Sequence, residues 1–453
     1  MDWKDKRVAV IGLARSGLAA AKKLREIGAE PFLSEARSSG ELINTIPSIS
    51  DFEYELSGHT DKVLNNELII ISPRVPLDIL ILKKAREKGI PIWSELEFGF
   101  ELAKDTSSKI IAITGSNGKS TTTSLIHHIL KESGKNALLA GNIGLPFTSF
   151  PIEKGEYEYI VLEVSSFQLD AIEQFRPDIA VLLNITPDHL NRYHTLDAYR
   201  SSKLRIFENQ TEKDFTVLNY DDEECKQLNK IGLSKKIFYS VNEKVNEKVN
   251  ENVWFEDDKI VIKSGEKTSY LYSNELPISG LHNVSNAVAS SLVGVLCRLE
   301  SNQIIAALKS FKGLEHRLEW VAEINERIFI NDSKATNCVS VEKALTSFDK
   351  PINLIMGGSD KAEDFSSLIP LIQKNVRNLI VLGETKTKII KTFEKFVNTI
   401  EVSDLQEAVW TAYKISNPDE YILLSPGCAS YDMYNNFEER GKHFKQLVGG
   451  LKK

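Results

Sequence analysis

Cysteine is scarce: four in 453 residues, at positions 225, 297, 338 and 428, with no C-x-x-C among them. That spacing excludes a disulfide framework and a cysteine zinc site, and it reads as reduced thiols in a cytoplasmic protein. A basic excess is also lacking. Lys and Arg number 56 against 63 Asp and Glu, a net charge of −7, which argues against nucleic-acid phosphate binding as the main business. Small charged substrates stay open, because a local basic pocket does not need a basic protein. No apolar run approaches the length that spans a bilayer. Met1-Asp-Trp-Lys-Asp-Lys-Arg7 has no apolar core or cleavage site, so a secretory signal is not expected. What remains is an ordinary globular composition, 42% hydrophobic and 26% charged, long enough for about three domains.

The most informative stretch is Ile110-Ile-Ala-Ile-Thr-Gly-Ser-Asn-Gly-Lys-Ser-Thr-Thr-Thr123. A short apolar strand runs into Gly115 and Gly118, then into a helix with Leu125, Ile126, Ile129 and Leu130 on one face. Backbone N–H groups and the positive end of a helix dipole then converge where a phosphate can sit. Lys119 adds a point charge for the terminal phosphates, and the Ser120 hydroxyl can reach a Mg²⁺. The loop is two residues shorter than G-x-x-x-x-G-K-[ST]. A glycine pair alone would favour a plain strand-to-helix turn. Gly-Lys-Ser-Thr at the helix start shifts the reading to nucleotide binding.

Around this stretch strands and helices alternate. Arg7–Gly12, Pro31–Glu35, Leu68–Ser72 and Pro91–Ser94 read as strands of a doubly wound α/β unit. Its first turn, Gly12-Leu-Ala-Arg-Ser-Gly17, approximates G-x-G-x-x-G, with Glu35 where a ribose-binding acid would stand. Ala14 replaces the middle glycine that lets a pyrophosphate approach, so a nucleotide other than NAD, or none, is expected. In the middle segment, strand Tyr159–Val164 delivers Glu163, and strand Ile179–Asn184 delivers Thr186-Pro-Asp-His189. Ligands collect outside the carboxyl ends of parallel strands, so Glu163 and His189 are candidates to face phosphates or a cation. Each has a plain alternative, Glu163 as a solvated edge residue and His189 as a helix-cap residue. Lys203, on pattern alone, is an exposed cation.

The four-residue repeat Asn242–Glu251 reads as a surface excursion. Val253–Ile262 and Thr268–Tyr272 are expected as a two-stranded hairpin turning at Lys263–Glu266. His282, Asn283 and Asn286 open a helix, where asparagines are ordinary caps by default. From about Ser301 the α/β alternation restarts, with strands at Arg327–Asn331, Ile352–Met356, Leu379–Leu382, Thr399–Val402 and Tyr421–Leu424. Polar clusters follow three of these strands and suggest a second anion-handling surface.

Taken together the motifs resemble the Mur ligase family over essentially the whole length. The residues that carry the resemblance are Thr114–Thr121, Gly141-Asn-Ile-Gly144, Glu163–Leu169, Asn184–Leu190, Lys203-Leu-Arg-Ile206, Gly313–Arg317, Asn331-Asp-Ser-Lys-Ala-Thr-Asn337 and Leu424–Ser430. The resemblance implies an α/β chain of three domains. These are a Rossmann-like UDP-substrate domain (1–98), a central P-loop ATPase-like parallel sheet that binds ATP (99–300) and a Rossmann-like amino-acid domain (301–453). It implies ATP-driven amide synthesis through an acyl phosphate, adding D-glutamate to UDP-N-acetylmuramoyl-L-alanine in peptidoglycan precursor synthesis. A cytoplasmic monomer is expected, with neither nucleic-acid partner nor membrane insertion.

By the same resemblance Gly115, Ser116, Asn117, Gly118, Lys119, Ser120, Thr121, Asn283, Asn286, Arg317 and Asp332 would bind ATP. Ser120, Glu163, His189 and Lys203 would hold two Mg²⁺ ions, Lys203 as a carbamate, which turns a cation into the oxygen ligand that a hard ion prefers. Lys119, His189, Lys203 and Asn142 would be catalytic, with Asn142 near the reacting end of the substrate. Lys334, Thr336, Lys361, Ser430 and Phe437 would form the D-glutamate pocket, and Ser16, Arg37 and Ser72 would contact UDP. Three other readings remain to be separated. They are a ligase of the same architecture with another acceptor (folylpolyglutamate synthetase among them), an NAD-dependent oxidoreductase, and a nucleotide-gated binding protein without chemistry.

Overall fold

The computed structural model describes residues 2–42, 45–245, 252–278, 280–360 and 363–451. Lys361 and positions 246–251 of the repeat lie outside the described residues. The chain forms two compact units, Met1–Pro277 with Leu281–Phe311, and Ile278–Gly280 with Lys312–Lys453.

The first unit contains three sheets. Strands β1 (Arg7–Ile11), β2 (Glu30–Ser34), β3 (Glu53–Glu55), β4 (Leu68–Ile71) and β5 (Ile92–Ser94) pair in the order β3-β2-β1-β4-β5. All pairs are parallel. This is the doubly wound order, with its switch point between β1 and β4. The second sheet holds β6 (Lys109–Thr114), β7 (Ala137–Gly141), β8 (Tyr159–Glu163), β9 (Ile179–Leu182), β10 (Phe215–Asn219) and β11 (Lys235–Tyr239). Its order is β11-β10-β9-β6-β8-β7, again all parallel. Helices cover both of its faces, so Ile110 and Ala112 on one side and Ile111 and Ile113 on the other are all buried. Burying each such isoleucine contributes about 1.5–3 kcal/mol.

The expected two-stranded hairpin is in fact a three-stranded antiparallel sheet, β12 (Asn252–Glu256), β13 (Lys259–Ser264) and β14 (Lys267–Tyr272). Val253–Ile262 breaks at Asp257-Asp258, both left-handed with φ of 48° and 58°. A two-residue turn with two positive φ values joins twisted strands, and aspartate tolerates it without the usual glycine. The helix Ser301–Ser310 packs within this unit, on β14 and on the helix Lys119–Glu132.

The second unit is one six-stranded sheet formed by β15 (Glu319–Ile324), β16 (Arg327–Asn331), β17 (Ile352–Gly357), β18 (Val376–Leu382), β19 (Asn398–Glu401) and β20 (Tyr421–Leu424). The order is β15-β16-β20-β17-β18-β19. β15 is antiparallel to β16, which makes the sheet mixed, and the sequence did not announce it. Two of its six residues are charged, Glu319 and Glu323, and Trp320 is largely exposed at this edge. The polar clusters Asp332–Asn337, Gly358–Asp360 and Ser425–Ser430 follow the carboxyl ends of β16, β17 and β20.

Candidate active site

The central feature is the turn from β6 into the helix Lys119–Glu132. Gly118 caps that helix with φ 82°, and a Cβ there would lie 2.6 Å from Oδ1 of Asn286. Only glycine satisfies both the left-handed backbone and the close approach. The loop is clamped by the segment after β9. Asn117 N donates to Asn184 Oδ1 at 2.8 Å, Ser116 N to Asn184 O at 2.9 Å, and Ser116 Oγ to Thr186 O at 2.9 Å. Lys119 Nζ curls back to the carbonyls of Gly115 and Ser116 at 2.7 and 2.9 Å. Ser120 and Thr121 are buried in the first turn.

Lys203 is not the exposed cation that its helix pattern suggests. It is 1% exposed, and its Nζ donates to Gly115 O at 2.8 Å. The ammonium lies 4.6 Å from the ring centroid of Tyr199, one turn back on the same helix. Burial, and then the charge of Lys119, holds its pKa well below the ordinary lysine value. Tyr199 was missed by the sequence reading; its hydroxyl meets Ser116 Oγ at 3.2 Å. The signal was the i, i+4 spacing to Lys203 on a helix.

Strand register explains how Asn142 meets Glu163. Gly141 at the end of β7 pairs with Glu163 at the end of β8, so the next residue reaches across. Asn142 Nδ2 donates to Glu163 Oε1 at 2.6 Å, while Glu163 Oε2 is buried without a hydrogen-bond partner. His189 stands at φ 53°, half-exposed, with its ring 4.8 Å from that of Phe167. Burial lowers its pKa, which favours the neutral ligand form. Among the described residues no group of three or more His, Cys, Asp and Glu converges as a ready metal cage. By residue type, the Glu163 carboxylate oxygen that lacks a hydrogen-bond partner, the Ser120 hydroxyl and the His189 imidazole are each chemically suited to a hard cation.

Asn286 supports the loop from below. Its Oδ1 accepts from Thr122 Oγ1 at 3.2 Å, and its Nδ2 donates to Asn283 Oδ1 at 3.2 Å.

In the first sheet, Ser72 is buried with its Oγ on Gly12 O at 2.6 Å, and Ser16 is half-buried on the first helix. Both flank the switch point. Glu35 accepts from Leu13 N at 2.7 Å and from Arg37 Nη2 at 2.9 Å. Burial by itself would raise its pKa; the hydrogen bonds from Arg37 and Leu13 outweigh that and hold it at about 2. Both Glu35 oxygens are thus committed to the protein, which removes the ribose acid that an NAD site needs.

The second unit gathers the remaining candidates. Asp332 is buried and accepts from Ser425 Oγ at 2.8 Å and Leu318 N at 3.2 Å. Burial pushes its carboxyl up to about 7. Lys334 Nζ lies 5.8 Å from the Phe437 ring, Ser430 is buried, and Thr336 is half-buried. Arg440, absent from the sequence reading, fastens these segments together. Its guanidinium donates to Ser333 Oγ, Ser333 O, Cys428 O and Ala429 O at 2.8–3.3 Å. The available signal was its position four residues before Phe444, on the stripe that the last helix buries.

Comparison with known proteins agrees with this layout. Residues 6–94 match the Mur ligase MurD-like N-terminal domain, 113–294 the Mur ligase middle domain, and 316–428 the Mur ligase glutamate ligase domain. A UDP-N-acetylmuramoylalanine--D-glutamate ligase of Clostridioides difficile is 40% identical over 457 residues, covering 100% of both chains. The protein of that name from Caldicellulosiruptor bescii is 41% identical over 464 residues, covering 100% of this chain and 99% of its own. Among solved structures, the UDP-N-acetylmuramate-alanine ligase of Thermotoga maritima superposes with a TM-score of 0.61 at 18% identity, over 98% and 99% of the two chains. With three successive domain matches, full-length relatives and a shared fold, this chain belongs to the Mur ligase family.

Proposed function

We propose that the chain joins D-glutamate to UDP-N-acetylmuramoyl-L-alanine, driven by ATP, in peptidoglycan precursor synthesis. The observation that carries this reading is the full-length likeness, at 40% identity, to ligases named for that reaction. The carboxylate of the alanyl stem attacks the γ-phosphorus of ATP, giving an acyl phosphate and ADP. The amine of D-glutamate adds to the acyl carbon, and the tetrahedral intermediate expels phosphate as the nitrogen loses its proton.

Little covalent work falls to the protein; positioning and charge stabilisation do most of it. Lys119, with the backbone N–H groups of Gly115 to Thr121, holds the β- and γ-phosphates at the positive end of the helix. Asn283, braced by Asn286, lies at the adenine, and Arg317 and Asp332 at the phosphates and ribose. Asn142 orients the reacting carboxylate. Ser120 and Glu163 would hold one Mg²⁺, and His189 and a carbamylated Lys203 a second. Bound there, the ions would neutralise charge on the phosphate oxygens. Glu163 fits that role because its buried Oε2 has no hydrogen-bond partner. Lys203 fits because burial disfavours its charged form, and a neutral amine can add CO₂.

Lys334, Lys361, Thr336, Ser430 and Phe437 take the two carboxylates and the backbone of the amino acid. Ser16, Arg37 and Ser72 take the uridine diphosphate at the switch point of the first sheet. On this reading residues 1–98 serve the UDP-substrate, 99–300 ATP and 301–453 the acceptor, the compact second unit itself being Ile278–Gly280 with Lys312–Lys453. The enzyme acts as a cytoplasmic monomer; four buried, unbridged cysteines suit a reducing compartment. No helix among the described residues is long and apolar enough to cross a membrane.

The test is phosphate release from ATP and UDP-N-acetylmuramoyl-L-alanine with D-glutamate, L-glutamate, L-alanine or diaminopimelate offered in parallel. Release with D-glutamate alone is expected. Equal or greater release with any other acceptor overturns the assignment.

A further inference from the structure

The helix Glu95–Ala103 runs between the first two sheets in sequence and contains no residue assigned above to substrate or metal. Yet it carries three buried acids, and two of them grip backbone from distant parts of the chain. Glu95 Oε1 accepts from both Thr148 N at 2.7 Å and Thr148 Oγ1 at 2.8 Å. Glu97, one residue beyond the next, accepts from the N–H groups of Glu173, Gln174 and Phe175 at 2.8–2.9 Å. One turn on from Glu95, the ring of Phe147 packs so closely on Gly99 that any Cβ there would run into it.

These grips hold the two segments that bear the Asn142–Glu163 pair. Thr148 and Phe147 close the loop that begins at Gly141 and includes Asn142. Residues 173–175 end the stretch that leaves β8 immediately after Glu163. The other side of the same loop is touched by Arg15, whose guanidinium donates to Gly144 O. The near end of the loop is fixed by strand pairing, with Asn142 N donating to Glu163 O at 2.9 Å; Thr148 lies at its far end. Glu95 holds that end by hydrogen bonds, with a fully buried carboxyl whose second oxygen has no hydrogen-bond partner. A bare fold anchor is more cheaply made from apolar contacts, as Phe147 on Gly99 shows.

We propose that Glu95 is a positioning residue for the ligation: through Thr148 it fixes the far end of the loop Gly141–Ser149 and so, together with the β7–β8 pairing at the near end, holds the hydrogen bond from Asn142 to Glu163 in place. This rests on the roles given above to Asn142 and Glu163.

The experiment compares full-length Glu95→Gln, Glu95→Ala and Thr148→Val with the unaltered chain. It reads amide hydrogen exchange in peptides spanning residues 141–149, thermal midpoints, and kcat and KM for each substrate. Glu95→Ala and Thr148→Val should each raise exchange across 141–149 several-fold. They should lower kcat on the order of tenfold to a hundredfold, since a displacement near 1 Å is enough for that. KM for ATP should stay within about twofold, because the phosphate loop is clamped by Asn184 and Thr186 instead. Glu95→Gln should restore most of both readouts, its amide oxygen still accepting from Thr148. If Glu95→Ala does not fold, Thr148→Val decides. Unchanged exchange across the loop in the folded variants overturns the proposal, as does a kcat that follows only the loss of thermal stability. Absence of ligation by the unaltered chain would sink the functional reading, and the exchange data would still judge the latch.

Discussion

Lys119 and Lys203 deliver their ammonium groups to the same acceptor, the carbonyl oxygen of Gly115, at 2.7 and 2.8 Å. Two cations on one carbonyl in a buried setting repel, and burial weighs further against the charged form of Lys203. Lys119 belongs to the helix N-terminus, where an arriving phosphate chain would draw it off its own loop. Lys203, from a helix 88 positions further along, has no such exit. The loop and Lys203 thus meet at one carbonyl before any ligand binds.

That arrangement gives the first prediction. Lys203→Ala should lose most ligase activity and recover part of it when small carboxylic acids such as formate or acetate are added, since these can replace a carbamate's oxygens. Phosphate release measured across a range of added acid checks it. A flat response would leave Lys203 with an ordinary charge role.

Gly118→Ala should cost about 1–2 kcal/mol from the left-handed backbone alone. It should also displace Asn286, whose Oδ1 would stand 2.6 Å from the new methyl. Titration calorimetry should show weakened ATP binding, and a chemical melt should show lowered stability. Asn286→Ala, which leaves the backbone unstrained, should lower ATP affinity less.

Arg440→Lys should remove most of the four bonds that join Ser333, Cys428 and Ala429, lowering stability by about 2–4 kcal/mol. Because those segments carry the acceptor candidates, KM for D-glutamate should rise more than KM for ATP. Steady-state kinetics with each substrate varied in turn would show the split; equal rises would argue for general loosening.

Stability should change with pH in opposite senses at two carboxyls. Asp332 titrates at about 7 in the fold against 3.8 for the free group, because burial penalises its charge. The folded state therefore holds the extra proton, and stability falls as pH climbs from 3.8 to about 7, by at most about 1.4 kcal/mol per pH unit. Glu35 is held at about 2 against 4.5, so its contribution is full above 4.5 and disappears as pH falls towards 2. Urea midpoints should rise from pH 8 to pH 5 less steeply in Asp332→Asn than in the unaltered chain. Glu35→Gln should flatten the acid limb.

β3, β7, β10 and β11 were not read from the sequence; the phosphate loop, the other strands of the first two sheets and the polar segments after several strands were. Their signals are local: continuous apolar runs for strands buried on both faces, and glycines beside a Lys-Ser pair at a helix start. Lys203 was misread because a lysine on a short helix is normally solvated, and nothing nearby in sequence says that Gly115 closes over it. β15 and the Asp257-Asp258 turn escaped for a related reason. An edge strand interrupted by two glutamates and a turn without glycine give weak patterns.

The sequence by itself determined the fold class, the anion-binding turn and the residue types available at each strand end, because these depend on contacts within about ten positions along the chain. The tertiary structure decided which of those residues meet. Asn142 reaches Glu163 because β7 and β8 pair in one register, and Lys203 is stripped of water by a loop far upstream. Arg440 becomes a clasp only when two segments distant from each other in sequence surround it. Burial and charge coupling are set by neighbours distant in sequence, and no local pattern encodes them.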